Sequence, residues 1–521
     1  MNTEPNEGIC RRWHLLFALL FVLLFQAFAR YAAAPVTGLV LDDWSNWYQA
    51  DSFGSVRETC LKSLCHPDRP LTILATTLGY RLMGDNAAAY AWLSLAGYSI
   101  VLALAFFIVY ALTRSIYQST LFGLLFAVLP NLGQHFHWPT QILAAGACAL
   151  PLYLGSALAW ILFVQRGRVL FLLLSALGYG LGLFGYEIGT FLPLAFAVLL
   201  VKRTWRSRIL VLLPLGVVLG FYAAWRMTNA FGIGFSWYGS PSQMQPNFSL
   251  AQVLRNASEI VLWWAGDNVW SSFVGGLKGF DLVGHWPQRW IVLGDVALLA
   301  AAGLLLRSLS RTKIQPSPAS YELPVFAFAS TWVAAAYAPC LISYVDARLN
   351  FLPAIGVVFL LSWVLVRLPI SKWISGFLVL AFICMLSTQG TAMNWKEAAV
   401  WNRNLYAKIA REKPQWQDRK FILFDTRQLA QRLTPGITGP AVHDISNVFH
   451  FHNAGLVRGF APSAMVRRLA GTNSSPIALL DVEYGARIEG DQLIWHDRYD
   501  PSAPHTNAAA DVYVVDCLDV N

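Results

Sequence analysis

Long runs of apolar residues, separated by short polar turns, occupy the first three quarters of the chain. Eleven runs approach the roughly 17–25 residues that a helix needs to cross about 30 Å of hydrocarbon. The run 187–201 is short, so with 169–185 it forms either a hairpin or a broken helix, and any break must line a protein cavity. The pattern predicts an all-α polytopic membrane bundle of about eleven transmembrane helices, at about 13–34, 88–112, 117–134, 140–164, 169–185, 187–201, 209–226, 289–306, 322–344, 349–366 and 373–391.

Basic residues in the turns indicate which side of the membrane each turn faces. With Arg11 and Arg12 in the cytoplasm, every second turn carries Lys or Arg, as the positive-inside rule expects. These residues are Arg114, Arg166, Arg168, Lys202, Arg203, Arg206, Arg208, Arg307, Arg311, Lys313, Arg367 and Lys372. An odd number of spans then places the N-terminus in the cytoplasm and the C-terminus outside, and we expect a bacterial inner or plasma membrane.

Composition agrees with a membrane location and explains the basic character of the chain. The 521 residues are 56% hydrophobic and only 13% charged, whereas a soluble domain carries about 25% charged residues. A formal net charge of +9 would suggest nucleic acid in a soluble chain. Because the membrane topology accounts for the charge, we expect membrane lipid as a partner and no nucleic acid.

Three long segments lie outside the membrane in this topology. Residues 1–392 form the transmembrane region with outer loops 35–86 and 227–288, and 393–521 is predicted to be a small α/β extracytoplasmic domain. Cys60 and Cys65 share the first loop, as a disulfide or as two free thiols. An interfacial amphipathic helix is predicted in the second loop, and a helix and three strands in the tail, at 251–264, 395–411, 421–424, 477–482 and 511–516.

Two charged motifs in the first outer loop are candidates for chemistry. Asp42 and Asp43 follow the first span directly, and adjacent carboxylates at a membrane exit can serve as a general base and a metal or substrate ligand. A solvated, acidic helix end is the alternative. Arg69 precedes Pro70 at the approach to the bilayer, where its guanidinium can bind a phosphate in a bidentate manner. A surface contact with Asp68 is the alternative.

Three further groups lie at the outer ends of later spans. His137 either hydrogen-bonds a substrate or belongs to an interfacial aromatic cluster, and no nearby carboxylate supports a metal site there. Glu187 lies between two apolar runs with no adjacent cation, in a functional or a structural role. Asp346 either pairs with Arg348 or caps the next helix, and a cation at this outer turn opposes the positive-inside trend. Since the topology was derived from other residues, the shared location predicts one common site at the outer face.

The order of these motifs resembles that of the GT-C class of polytopic glycosyltransferases. Similar patterns occur in the membrane region of O-mannosyltransferases with tetratricopeptide repeats and in bacterial O-antigen glucosyltransferases. The resemblance covers about 36–360, and its most specific stretches are Arg-Pro-Leu-Thr and Arg-Leu-Asn-Phe-Leu-Pro. The matching segments are Asp42-Asp43, Arg69–Thr72, Leu78–Gly84, Leu124–Pro130, His137-Trp138, Tyr186-Glu187 and Asp346–Pro353.

Departures from the family pattern limit what the resemblance carries over. No tetratricopeptide repeats follow, and the tail is a different small domain. Tyr186-Glu187 stands where the mannosyltransferase pattern has a Lys-Glu pair, and the usual acidic residue before the Arg-Tyr element is displaced to Asp346. The sugar and the acceptor are therefore not carried over.

The resemblance implies a membrane glycosyltransferase that moves a sugar from a polyprenyl-phosphate-linked donor to an acceptor hydroxyl on the extracytoplasmic face, with inversion. Asp42 or Asp43 would deprotonate the acceptor hydroxyl, and Glu187 would orient the sugar or an accompanying group. Arg348, with Arg69 as a second candidate, would bind the phosphate. The acceptor is a glycan, a lipid or a protein, and family members occur with and without a divalent metal.

Two other functions stay open at this point. A transporter or flippase for a lipid or a sugar predicts inverted repeats or paired broken helices, and neither is clear in this sequence. A scaffold whose tail binds a partner leaves the outer-face cluster unexplained.

Overall fold

The computed structural model describes most of the chain, including the helical bundle and much of the C-terminal region. The described residues are 5–35, 38–40, 43–52, 55–56, 58, 69–231, 249–265, 286–311, 322–342, 349–425, 460–470, 476–480, 486–496 and 504–517. Cys60 and Cys65, which share the first outer loop, lie outside these residues.

The first half of the bundle contains ten helices among the described residues. Each apolar run predicted in this part contains a helix. The helices are α1 (Pro5–Tyr31), α2 (Asp43–Ser52), α3 (Pro70–Met83), α4 (Ala87–Thr113), α5 (Ile116–Ala127), α6 (Gly133–His137), α7 (Pro139–Arg166), α8 (Val169–Gly185), α9 (Leu192–Val198) and α10 (Trp205–Phe231).

The second half of the bundle continues with long helices and ends in the C-terminal region. These helices are α11 (Leu250–Ala265), α12 (Trp286–Arg311), α13 (Glu322–Ile342), α14 (Phe351–Leu365), α15 (Ile370–Arg411), α16 (Lys413–Trp416) and α17 (Phe460–Ala470). Within the described residues, seven helices are long and apolar enough to cross a membrane, namely α1, α4, α7, α10, α12, α13 and α15. The chain is therefore an integral membrane protein, and the predicted total of about eleven spans stays a prediction because four further apolar helices are shorter.

Helix ends follow local sequence signals. The side chain of Asn86 accepts a hydrogen bond from the amide of Ala89 and caps the start of α4, and Arg114 ends this helix in a left-handed conformation. Close packing of α4 on α7 depends on a glycine, because a Cβ at Gly97 would lie 2.9 Å from the carbonyl oxygen of Gly146. Gly146 itself lies in Ile142–Ala149, a π-helical segment of α7. Segments of this kind often occur at functional sites.

Two predicted spans differ from the observed helices. The run 117–134 ends its helix at Ala127, because Pro130 starts a 3₁₀ turn that leads into the short helix α6. The run 187–201 is broken into a 3₁₀ turn at Glu187–Gly189 and the seven-residue helix α9. The side chains of α7 stabilise the break, since the Tyr153 hydroxyl donates to the carbonyl of Tyr186 at 2.5 Å. Of the two structures that the sequence allowed here, the broken helix is observed.

The C-terminal region combines the end of a long helix with two small sheets. Helix α15 has 42 residues and spans about 63 Å, so the separate predicted helices 373–391 and 395–411 are one continuous element. The strands in the described residues are β1 (Phe421–Asp425), β2 (Ile477–Leu480), β3 (Arg487–Glu489), β4 (Gln492–His496), β5 (Pro504–Ala508) and β6 (Val512–Asp516). The three predicted strands correspond to β1, β2 and β6, which form a parallel sheet in the order β2-β1-β6. A second, antiparallel sheet in the order β3-β4-β5 was not predicted.

Candidate functional site

The first centre of the candidate site surrounds Asp43, the first residue of α2. Its side chain is fully buried. One carboxylate oxygen accepts hydrogen bonds from the Tyr80 hydroxyl at 2.6 Å and from the amide and hydroxyl of Thr140 at 2.9 and 2.6 Å. The other oxygen accepts from the amide of Val40 at 2.7 Å. A single carboxylate thus joins the segment after α1, helix α3 and the start of α7.

Burial and hydrogen bonding shift the pKa of the Asp43 carboxyl group in opposite directions. Burial raises the pKa of Asp43 to about 7, and the bonds from Thr140, Tyr80 and Val40 oppose that rise. Burial, together with the charge of Asp43, raises the pKa of Tyr80 well above its usual value, so this hydroxyl stays protonated and donates. Asp43 therefore titrates near neutral pH while its neighbours remain neutral donors.

The second centre is an ion pair between Arg69 and Glu187, which are 118 positions apart in the chain. The Arg69 Nε donates to Oε2 of Glu187 at 2.6 Å, and Nη2 of Arg69 pairs with Oε1, so the contact is bidentate. The guanidinium carbon also lies 4.6 Å from the centroid of the Tyr186 ring. The side chains are 14% and 26% exposed. The alternative contact of Arg69 with Asp68 falls outside the described residues, and the cation that pairs with Glu187 comes from a distant segment of the chain.

Helix α3 connects the two centres. Arg69 directly precedes this helix, and Tyr80 lies eleven residues later, which corresponds to about 16 Å along the axis. Near the first end, the Thr72 hydroxyl donates to the carbonyl of Gly185, so α3 is anchored to the end of α8. The structure therefore brings Arg69 and Glu187 together and places Asp43 at the opposite end of the same helix.

His137 is buried beside Arg30, an arginine at the end of α1. Burial, with the positive charge of Arg30, lowers the pKa of His137 to about 3, so the imidazole is neutral at physiological pH. The Arg30 Nη2 donates to the carbonyl of Leu129 at 2.6 Å, and the guanidinium lies 4.4 Å from the centroid of the Phe136 ring. The role of His137 in substrate binding stays a prediction.

Sequence reasoning overlooked Arg30, although a signal for it exists. It is a cation at the outer end of the first predicted span, where the positive-inside rule disfavours one. Arg348 is a candidate for the same reason. The side chain of Arg30 is fully buried, and buried arginines in membrane proteins usually have a structural or functional partner.

The remaining predicted site residues lie outside the described residues. These are Asp42, Asp346 and Arg348. Asn350 lies two positions after Arg348 in the sequence and is described. Its side chain accepts a hydrogen bond from the Tyr337 hydroxyl at 2.6 Å. Trp264 of α11 donates to the same tyrosine hydroxyl at 2.6 Å, so the predicted amphipathic helix contacts α13 through Tyr337. Among the described side chains, no group of three His, Cys, Asp or Glu could hold a metal ion.

Comparisons with known proteins find similarity to solved structures. No family model matches the chain, and no curated protein matches it. Among solved structures, the chain is similar to ArnT from Cupriavidus metallidurans bound to undecaprenyl phosphate, with 13% identity and a TM-score of 0.35 over 84% of each chain. It is also similar to the apo state of ArnT, with 14% identity and a TM-score of 0.31 over 84% of each chain. At these values the similarity by itself assigns neither a reaction nor a ligand to this chain.

Proposed function

We propose that the chain is a membrane glycosyltransferase of the GT-C class. It moves a sugar from a polyprenyl-phosphate-linked donor to an acceptor hydroxyl at the extracytoplasmic face, with inversion. The observation that carries the proposal is helix α3, which holds Arg69 and Glu187 at one end and the Asp43 carboxylate at the other. Four of the segments that resemble the GT-C class are thus structurally coupled, namely Asp42-Asp43, Arg69–Thr72, Leu78–Gly84 and Tyr186-Glu187, although each is weak in the sequence.

The burial of Asp43 supports different roles for the two residues of the acidic pair. Asp43 is fully buried and accepts four hydrogen bonds, so it positions the start of α2 and does not face an incoming acceptor. The general base is then the preceding residue, Asp42. Its carboxylate accepts the proton of the acceptor hydroxyl, whose oxygen attacks the anomeric carbon opposite the phosphate. The bond from that carbon to the phosphate oxygen breaks, and its electron pair leaves with the phosphate.

The two arginine candidates also take different roles. The charge of Arg69 is already balanced by Glu187 in a bidentate pair. Arg348, which precedes α14 in the sequence, is therefore proposed as the principal ligand of the lipid phosphate and stabilises the leaving group. The Arg69–Glu187 pair is then assigned to orienting the sugar, because its side chains remain partly exposed.

Transfer from a labelled polyprenyl-phosphate sugar tests the proposal directly. Proteoliposomes that contain the full chain are supplied with the donor and with a fraction of cell-envelope glycans, lipids and proteins as acceptors. We expect a labelled product with inverted configuration, and its loss in Asp42→Asn and Arg348→Gln. The control is Asp85→Asn, which changes an exposed carboxylate in the turn after α3.

Two results would contradict the transferase. One is full activity of Asp42→Asn and Arg348→Gln at wild-type expression. The other is movement of the labelled lipid across the bilayer without any product, which would identify a flippase or transporter. Divalent-metal dependence is measured in the same assay by adding EDTA.

A further inference from the structure

Helix α2, which begins at Asp43, packs against two different parts of the protein. One side faces α3, where the side chain of Arg81 donates to the carbonyl of Ala50 at 2.9 Å. The other side faces α17 of the C-terminal region. Trp44, Trp47 and Ala50 are buried between these neighbours. The short helix is therefore held from the bundle and from the C-terminal region at once.

Arg468 of α17 makes a polar contact that joins α17 to α2. Its guanidinium forms an ion pair with Asp51 and lies 3.6 Å from the centroid of the Trp47 ring. Trp47 and Asp51 are four positions apart, so they share one face of α2. A planar guanidinium can stack on the ring and hydrogen-bond the carboxylate at the same time, which a lysine cannot do.

Hydrogen bonds and ring contacts connect the elements of the C-terminal region around Arg468. The Lys413 ammonium donates to the carbonyl of Leu469 at 2.5 Å, next to Arg468. The Lys408 ammonium donates to the carbonyl of Asp516 at the end of β6 at 2.8 Å. The extension of α15 also contacts α2 directly, because the Tyr406 and Trp44 rings lie 5.0 Å apart. Helix α17, the parallel sheet and the end of α15 thus reach α2 as one unit.

We propose that the C-terminal domain positions α2, and that Arg468 is the positioning residue through which it acts. The domain thereby sets the location of the acidic pair, Asp42 and Asp43, relative to α3. Part of this inference rests on the proposed transferase function, since it assigns the pair a role in transfer. Displacement of a reacting group by about 1 Å can lower a rate by about 100-fold, so a contact at the far end of a ten-residue helix is sufficient to affect the reaction.

The test compares Arg468→Gln with Arg467→Gln in the full chain in nanodiscs. Arg467 is the preceding residue of the same helix and is exposed, so it is a matched control. We expect Arg468→Gln to lower kcat about tenfold with an unchanged KM for the donor, because the donor contacts other elements. We also expect amide hydrogen exchange in residues 43–52 to become about tenfold faster, while exchange in α3 is unchanged. Arg467→Gln should match the wild type in both measurements.

A charge swap separates positioning from a general structural role. In the double variant Asp51→Arg with Arg468→Asp, the new arginine lies four residues after Trp47 and can contact both the ring and the new carboxylate. We expect each single variant to be impaired and the double variant to recover at least half of kcat. If Arg468→Gln does not fold, Arg468→Lys serves instead, with an intermediate loss of kcat because it keeps the charge and loses the stacking.

Each outcome counts for or against the proposal. Unchanged exchange in α2 with Arg468→Gln or with its lysine substitute, equal effects of Arg467→Gln, or no recovery in the charge swap would overturn it. If the wild type transfers no sugar, the proposed function fails, and the exchange measurements still decide whether the domain positions α2. If transfer occurs and exchange responds while kcat does not, the domain holds α2 without affecting the reaction, and the positioning role is rejected.

Discussion

The two ends of α3 hold a carboxylate in contrasting ways. At one end, Glu187 is balanced by the cation Arg69, and the pair stays partly exposed. At the other end, Asp43 is fully buried, and within the described part of the chain its carboxylate accepts hydrogen bonds from neutral donors of Tyr80, Thr140 and Val40. An ion pair compensates charge directly, whereas neutral dipoles leave the carboxyl sensitive to burial, which raises the pKa of Asp43 to about 7. The Asp43 centre is therefore expected to respond to pH and to depend on packing.

The largest effect is expected when the buried carboxylate is removed. Asp43→Ala leaves the donors of Tyr80, Thr140 and Val40 without their acceptor, at a cost of about 4 kcal/mol in the free energy of unfolding. Transfer should fall at least about 100-fold, because the start of α2 is no longer fixed. Denaturant titration in detergent and the donor assay measure the two effects. Asp85→Ala is the control, and a stable, active Asp43→Ala would show that the predicted importance of this centre is wrong.

The pH dependence of stability is expected to separate the two ends of α3. Because the folded pKa of Asp43 is raised from about 3.9 to about 7, folding favours its protonated form. The stabilising contribution is complete below about pH 4 and is lost as the pH rises to about 7, by about 1.4 kcal/mol per pH unit at most.

Asp43→Asn provides the control for this titration, because the amide does not titrate. Denaturant titrations between pH 4 and 8 should show a slope in the wild type and a smaller one in the variant. Equal slopes in the two proteins would mean that the hydrogen bonds keep Asp43 ionised over the whole range.

Breaking the ion pair is expected to have a smaller effect. Glu187→Gln removes the charge that balances Arg69 and should cost about 2 kcal/mol in the free energy of unfolding. A double-mutant cycle with Arg69→Gln should give a coupling energy of about 1–3 kcal/mol, since the contact is bidentate and mostly buried. A coupling below about 0.3 kcal/mol would place this pair among ordinary surface contacts.

The sequence predicted the elements of the fold better than their connections. The long apolar runs and the short apolar segments of the three predicted strands are strong signals, and each corresponds to a helix or strand in the structure. Helix α2 was missed because its ten residues are polar overall and are stabilised by α3 and α17. The antiparallel sheet was missed because β3 and β5 are short and largely exposed, so they lack a buried apolar pattern.

At the site, too, the sequence predicted individual residues better than the contacts between them. The sequence selected Asp43, Arg69 and Glu187 by their charge and position. It did not indicate that Arg69 pairs with a residue 118 positions away, since nothing in the local sequence of either residue specifies the other. Thr140 was not selected because its residue type carries no charge, although both its amide and its hydroxyl contact Asp43. Partners of this kind depend on tertiary packing of α2, α3 and α7.

The smallest effect is expected when one of the four hydrogen bonds to Asp43 is removed. Tyr80→Phe keeps the ring that packs against Tyr90 and deletes only the hydroxyl, so the cost should be about 1 kcal/mol. Because the deleted bond favours the ionised carboxylate, the pKa of Asp43 should rise further, and the pH-dependent loss of stability should extend to higher pH. The same titration between pH 4 and 8 measures this shift. Tyr80→Phe could instead destabilise the protein as much as Asp43→Ala. In that case the four hydrogen bonds to Asp43 do not contribute comparably to stability, and the bond from Tyr80 alone anchors α2 to α3.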